Sequence, residues 1–92
     1  MADAKKRTVY VLRSCLDPER HYVGLTGNLQ KRVECHNAGQ SRDTARYKPW
    51  RVVVALEFST DAAAIRFERY LQSGSGRVFA KRHFQPLATD VE

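Results

Sequence analysis

Glu68 follows Ala64 by four residues and precedes Leu71 by three, a spacing that puts all three on one face of a helix. A carboxylate beside an apolar stripe is costly unless something pairs with it. An exposed place at the edge of the stripe satisfies that condition. So does ligation of a hard cation, Mg²⁺ or Mn²⁺, with water and a substrate phosphate completing the shell. Arg32 and His36 form a second pair, four apart, with Leu29 on their side of the helix. A guanidinium and an imidazole so placed could clamp a phosphate and move a proton, although an ordinary polar helix flank has the same spacing. Tyr10 and Tyr22 form the third pair. On neighbouring strands their rings could approach one another, and a phenol near a cation could relay or take a proton from water. Strand tyrosines are also common as aromatics at the edge of a core.

Other patterns carry less. Gly24-Leu25-Thr26-Gly27 has the G-x-x-G spacing of an RNA-binding loop, but it follows a strand instead of joining two helices. Gly74-Ser75-Gly76 lacks the lysine and the spacing of a phosphate-binding loop. Cys15 and Cys35 belong to no C-x-x-C pair and read as ordinary thiols. No cluster of paired acids suggests a two-metal phosphodiesterase, so any phosphodiester chemistry would use one metal.

The elements that must position these groups follow from periodicity. Thr8–Leu12 and His21–Leu25 are β-branched and aromatic and read as strands, joined as an antiparallel hairpin through the turn residues around Asp17-Pro18. Asn28 is an N-cap for a helix over Leu29–Asn37, in which Leu29 and Val33 share a face; Ala38-Gly39 ends it. Gln40–Pro49 reads as a polar, cationic loop. Arg51–Phe58 is the strongest strand, and its apolar run predicts burial on both faces. Ser59-Thr60-Asp61 caps a helix over Ala62–Gln72, broken by Gly74 and Gly76, and a last short helix covers Arg77–Phe84. The fold class expected is α+β, a three-stranded sheet with helices packed on it in the order β-β-α-β-α-α.

The chain has 92 residues and is 42% hydrophobic, which suits one domain with one core. Residues 1–7 read as a flexible basic lead-in, residues 8–84 as the domain and residues 85–92 as a polar tail. No apolar run approaches the ~20 residues of a membrane span, and the polar N-terminus does not resemble a signal peptide. A soluble, cytoplasmic protein is expected. The net charge is +6 at a sequence pI near 9.8, with 16 Lys and Arg against 10 Asp and Glu. Such a balance suits a polyanionic partner and salt-sensitive encounter with phosphate backbones, though a merely well-solvated basic surface has the same composition.

Taken in order, these segments resemble the GIY-YIG nuclease superfamily, in particular its small free-standing bacterial members. Val9-Tyr10-Val11-Leu12 resembles the first motif and Tyr22-Val23-Gly24-Leu25-Thr26 the second. The helix Asn28–Asn37 is similar to the family's arginine helix, with Arg32 and His36 in place. Pro49-Trp50 and the run from Phe67 to Arg77 resemble the small members closely. Two departures stand out: Thr8 replaces the glycine of the first motif, and no asparagine follows Asn37, where many relatives carry a late one.

The resemblance implies a three-stranded antiparallel sheet and one divalent cation, Mg or Mn, held by Glu68. It implies that Tyr22 meets the attacking water or accepts its proton with Tyr10 in support. Arg32 would stabilise charge on the scissile phosphate, and His36 would assist proton transfer or orientation. Ninety-two residues leave no room for a separate sequence-reading domain. DNA contact is therefore expected mainly on the backbone, through Arg46, Lys48, Arg51, Arg77, Lys81 and Arg82. Tyr47 and Trp50, as exposed rings, would stack unpaired bases and favour single-stranded DNA. The reading is a DNA endonuclease of low sequence specificity, in repair, recombination or DNA uptake. A nucleic-acid-binding module without turnover, or a protein-interaction domain with the same fold, would account for the same chain.

Overall fold

Arg7–Ser14 (β1) forms the middle of a three-stranded antiparallel sheet, between His21–Thr26 (β2) and Trp50–Phe58 (β3), in the computed structural model. Residues 7–84 are described. The expected lead-in before Arg7 and the tail from residue 85 lie outside them. Arg7 itself belongs to β1, where it pairs with Phe58 and meets Asp61 at 3.2 Å.

Four helices are found among the described residues: Leu29–Asn37 (α1), Arg42–Ala45 (α2), Asp61–Leu71 (α3) and Gly74–His83 (α4). Asn28 caps α1 by accepting from Lys31 N, and Thr60 caps α3 by accepting from Ala63 N, as their side-chain types predict. Two expectations change. The segment expected to be loop contains α2, a single turn closed when the Ser41 carbonyl accepts from Thr44 N and Ala45 N; one turn is too short to show periodicity. Gly74 and Gly76 do not separate two helices as breakers. They lie in the first turn of α4, capped by Ser73. A Cβ on Gly76 would strike the backbone of Tyr70 and Leu71, so only glycine lets α4 start this close to the end of α3.

The sheet is covered on both faces. α3 and α4 lie over the side carrying Val9 and Val11, where Ala64, Leu71, Phe67 and Phe79 complete an apolar layer. α1 covers the other side, setting Leu29 and Val33 against Tyr10, Leu12 and Trp50. Val9, Tyr10, Val11 and Leu12 are all buried, so β1 is the strand closed in on both faces. The same was expected of β3, and that expectation is corrected: β3 is an edge strand, with Val52 40% exposed. An unbroken apolar run does not identify a central strand when the strand lacks a second neighbour.

β3 also carries an irregularity opposite Val11 and Leu12, whose partners are Val54 and Val52, leaving Val53 extra. One added residue reverses which side chains face which way. Trp50 is thereby turned into the layer of Tyr10 and Leu12. Among the described residues no helix is long and apolar enough to cross a membrane.

Candidate active site

The two tyrosines meet diagonally. Tyr10 pairs with Gly24 and Leu12 with Tyr22 in the β1–β2 register, which brings the two rings to a centroid separation of 6.3 Å. Gly24 is the reason the Tyr10 ring can lie down: a Cβ there would collide with the ring and its hydroxyl. From α1, His36 enters between the tyrosines. Its ring sits edge-on to Tyr22 at 4.9 Å, and its Nε2 is 2.9 Å from the Tyr10 hydroxyl.

His36 is fully buried, so the polar helix flank suggested by its spacing does not hold for it. Its Nδ1 lies 2.7 Å from the hydroxyl of buried Thr44 in α2. Trp50 closes this side: its indole N–H donates to the Thr44 carbonyl at 2.8 Å, and its backbone N–H donates to Asn37 Oδ1 at 2.6 Å. Thr44 and Asn37 were not singled out from sequence. Nothing in a run such as Ser41-Arg42-Asp43-Thr44 marks one hydroxyl as the partner of a distant imidazole. No buried side-chain polar atom lacks a partner among the described residues.

The electrostatics follow from burial. Burial raises the Tyr10 pKa, with the hydrogen-bonding Arg32 guanidinium opposing it, so the phenol keeps its proton at neutral pH. The same bond to Tyr10 raises the pKa of Arg32, which stays charged. Burial, then the nearby Arg32 charge, lowers the His36 pKa and favours a neutral ring. The site is therefore a cation, a neutral imidazole and two phenols.

Glu68 stands apart from that group. It is half-buried on α3, on the opposite side of the sheet from α1, and its Oε2 accepts from Gln72 Nε2 at 2.6 Å. On the α3–α4 side lies an open cleft of about 730 Å³, whose walls include Val11, Val23 and Val53 of the sheet, Gln72, and Arg77 and Lys81 of α4, with His21 and Tyr22 of β2 at its border. Glu68 is thus one helical turn from a residue that shares a cleft with Tyr22. Among the described residues no group of three or more His, Cys, Asp or Glu is gathered that could hold a metal ion by itself. A single carboxylate oxygen donor, with water and phosphate supplying the rest, is the donor set Mg²⁺ accepts.

The residues expected to touch DNA divide. Arg77 and Lys81 face the cleft, Arg82 is exposed beside them, and Arg46, Lys48 and Arg51 are exposed elsewhere on the surface. Tyr47 is half-buried, with the Arg20 guanidinium 4.5 Å from its ring centroid and Arg46 at 5.7 Å. Trp50 is corrected: at 5% exposure its ring is a core element, turned inward by the β3 irregularity, and offers no face to a base.

A three-stranded sheet with a tyrosine on each of two paired strands, and an arginine–histidine helix against them, is the arrangement of a GIY-YIG nuclease domain. The family model of the GIY-YIG catalytic domain matches residues 6–83, and the chain belongs to that family. It is 44% identical over 62 residues to the structure-specific endonuclease subunit SLX1 homolog of Giardia intestinalis, covering 63% of this chain and 17% of that protein. The human structure-specific endonuclease subunit SLX1 is 40% identical over 68 residues, covering 65% of this chain and 24% of that one. The chain spans less than about a quarter of the length of these curated relatives. The solution NMR structure of the UPF0213 protein BH0048 from Bacillus halodurans shares the fold, with a TM-score of 0.54, 22% identity and 88% coverage of both chains.

Proposed function

We propose that this chain is a divalent-metal-dependent DNA endonuclease that recognises the shape and backbone of its substrate and reads little sequence. The observation that carries the reading is the meeting of Tyr10, Tyr22, Arg32 and His36 on one side of the sheet, with Tyr22 half-exposed on the edge strand β2 that also borders the cleft. Glu68 would hold one Mg²⁺ or Mn²⁺ ion, which when bound supplies Lewis acidity at the phosphate. Arg32, charged throughout, offsets the negative charge that grows on the scissile phosphate. Tyr22 is half-exposed at the cleft and is the phenol that meets the attacking water and shares in removing its proton. Tyr10 and His36 hold that arrangement from beneath.

Arg77 and Lys81, one turn apart on α4, would grip successive backbone phosphates along the cleft, with Arg82, Arg46, Lys48 and Arg51 contributing longer-range attraction. The SLX1 relatives are named structure-specific endonuclease subunits, and a basic chain with Arg77 and Lys81 in its cleft suits recognition by DNA shape and backbone. A preference for single strands rests on Tyr47 alone, now that Trp50 is in the core. Action in repair, recombination or DNA uptake follows from the same reading.

Labelled single-stranded, duplex and branched oligonucleotides incubated with Mg²⁺ or Mn²⁺ test it. The wild type should cut at least one form, stop on addition of EDTA, and lose cutting but not binding with Glu68→Ala. Arg32→Ala should lower the rate more than the affinity. Cutting that survives Glu68→Ala would remove that carboxylate from the metal site, and wild-type protein that binds but cuts no form would leave a binding module.

A further inference from the structure

The fully buried imidazole at the centre of the site has two hydrogen-bonding contacts, one at each ring nitrogen. The Thr44 hydroxyl lies 3.4 Å from the Ser41 carbonyl, to which it donates, and 2.7 Å from His36 Nδ1. A hydroxyl has one hydrogen. Once it is given to the carbonyl, Thr44 can only accept, so the ring proton must sit on Nδ1. Nε2 is then a bare lone pair, and the Tyr10 hydroxyl 2.9 Å away must donate to it. With its hydrogen committed, the Tyr10 oxygen presents only lone pairs, which suits the positive charge of nearby Arg32.

We propose that Thr44 is a positioning residue: by accepting from His36 Nδ1 it selects one tautomer of the ring, which fixes Tyr10 as a donor to His36. The inference rests on the nuclease reading for its consequence, but not for its structural content. A hydroxyl in a short helix thereby sets the polarity of a chain running Tyr10 to His36 to Thr44 to Ser41. Each step donates in one direction. Reversal at any single link would leave two hydrogens, or two lone pairs, facing each other in a buried site.

The anchoring of α2 does not depend on that hydroxyl. Trp50 Nε1 donates to the Thr44 backbone carbonyl, which substitution of the side chain leaves in place. Thr44→Val, of matching shape, therefore removes the acceptor while retaining the attachment. Thr44→Ser keeps the acceptor and loses only a methyl group.

Imidazole ¹⁵N chemical shifts of the full chain distinguish a protonated ring nitrogen from a bare one, without reference to cleavage. In the wild type His36 should show Nδ1 protonated and Nε2 bare. Thr44→Val should shift the ring toward the opposite tautomer, and Thr44→Ser should restore it. Cleavage should fall by roughly ten- to a hundredfold in Thr44→Val, the range typical of outer partners of a reactive group, and return with serine. A wild-type ring protonated on Nε2, or Thr44→Val with unchanged ring shifts, overturns the proposal. If the wild type cuts no DNA while the shifts behave as expected, it is the nuclease reading that fails and the tautomer assignment that stands.

Discussion

The two sides of the sheet are held by different physics. On the α3–α4 side, Val9, Val11, Ala64 and Leu71 are buried against phenylalanine rings, and nothing there has a direction. On the α1 side, Tyr10, His36, Thr44 and Trp50 are just as buried, yet each carries a polar atom whose partner must be a particular atom in a particular place. Apolar burial stabilises in proportion to area and tolerates repacking. Buried hydrogen bonds add little net stability, but a lost partner costs the desolvation of what remains. The apolar layer should therefore govern how stable the domain is, and the polar one how Tyr10 and His36 are held in the site.

Adjacent residues of β1 offer the sharpest way to break that contrast, because Val9 and Tyr10 point to opposite sides. Tyr10→Phe removes one hydroxyl and leaves His36 Nε2 without its hydrogen-bond partner. Cleavage should fall by roughly 10²- to 10⁴-fold, the range for a group in a proton-handling chain, while stability falls by only about 1–2 kcal/mol. Val9→Ala should do the reverse, losing about 2 kcal/mol to the cavity with little change in the rate per folded molecule. Urea titrations and single-turnover cleavage on the same preparations separate the two. A slow Val9→Ala enzyme, or a fast Tyr10→Phe one, would erase the distinction.

How far the sequence reveals each side follows from the same difference. Apolar periodicity and capping side chains are local signals, so the helix over Leu29–Asn37 and the caps at Asn28 and Thr60 are legible without a structure. Tyr10, Tyr22, Arg32 and His36 are legible as a group only through resemblance to a family, since their spacing alone fits an ordinary flank or core edge. Thr44 is not legible at all. Its partner is eight residues away across an irregular segment, and a hydrogen bond of that kind leaves no period. Trp50 is misread because one extra residue in β3 reverses its face. Glu68 shows the remaining gap: a helical period tells which face of α3 is apolar, but not which side of the sheet α3 covers.

Two glycines extend the comparison at a smaller scale. Gly76→Ala drives a methyl into the backbone joining α3 to α4, which cannot step aside, and should cost about 3 kcal/mol while sparing the rate of whatever stays folded. Gly24→Ala drives it into the Tyr10 ring and hydroxyl instead. A side chain can give way where backbone cannot, so the stability loss should be smaller. Any movement of that ring breaks the bond to His36, so cleavage should be lost. Equal loss of cleavage in both variants, at matched folded fraction, would mean the α3–α4 junction also shapes the site.

The smallest expected effect is in the pH dependence of stability, and its sign is set by His36. Burial, then the charge of Arg32, holds the folded-state pKa below that of an unperturbed histidine. The groups facing the ring add no negative charge to oppose this: Tyr10 from β1 and Tyr22 from β2 are phenols, and Thr44 from α2 is neutral. In the unfolded chain the ring takes its proton near pH ~6.5. Between the two values the unfolded state binds more protons, so stability rises with pH there. The contribution is complete above about pH 6.5 and is lost as pH falls through the lower folded value. His21, also lowered chiefly by burial, acts in the same direction but lies on the exposed edge of the cleft. Unfolding free energies from pH 8 to pH 5, for wild type and His21→Gln, isolate the buried ring's share. A decline on acidification that persists in His21→Gln assigns it to His36. A flat profile in that variant would mean the polar side accommodates a second proton, and that its hydrogen bonds are less directional than the geometry requires.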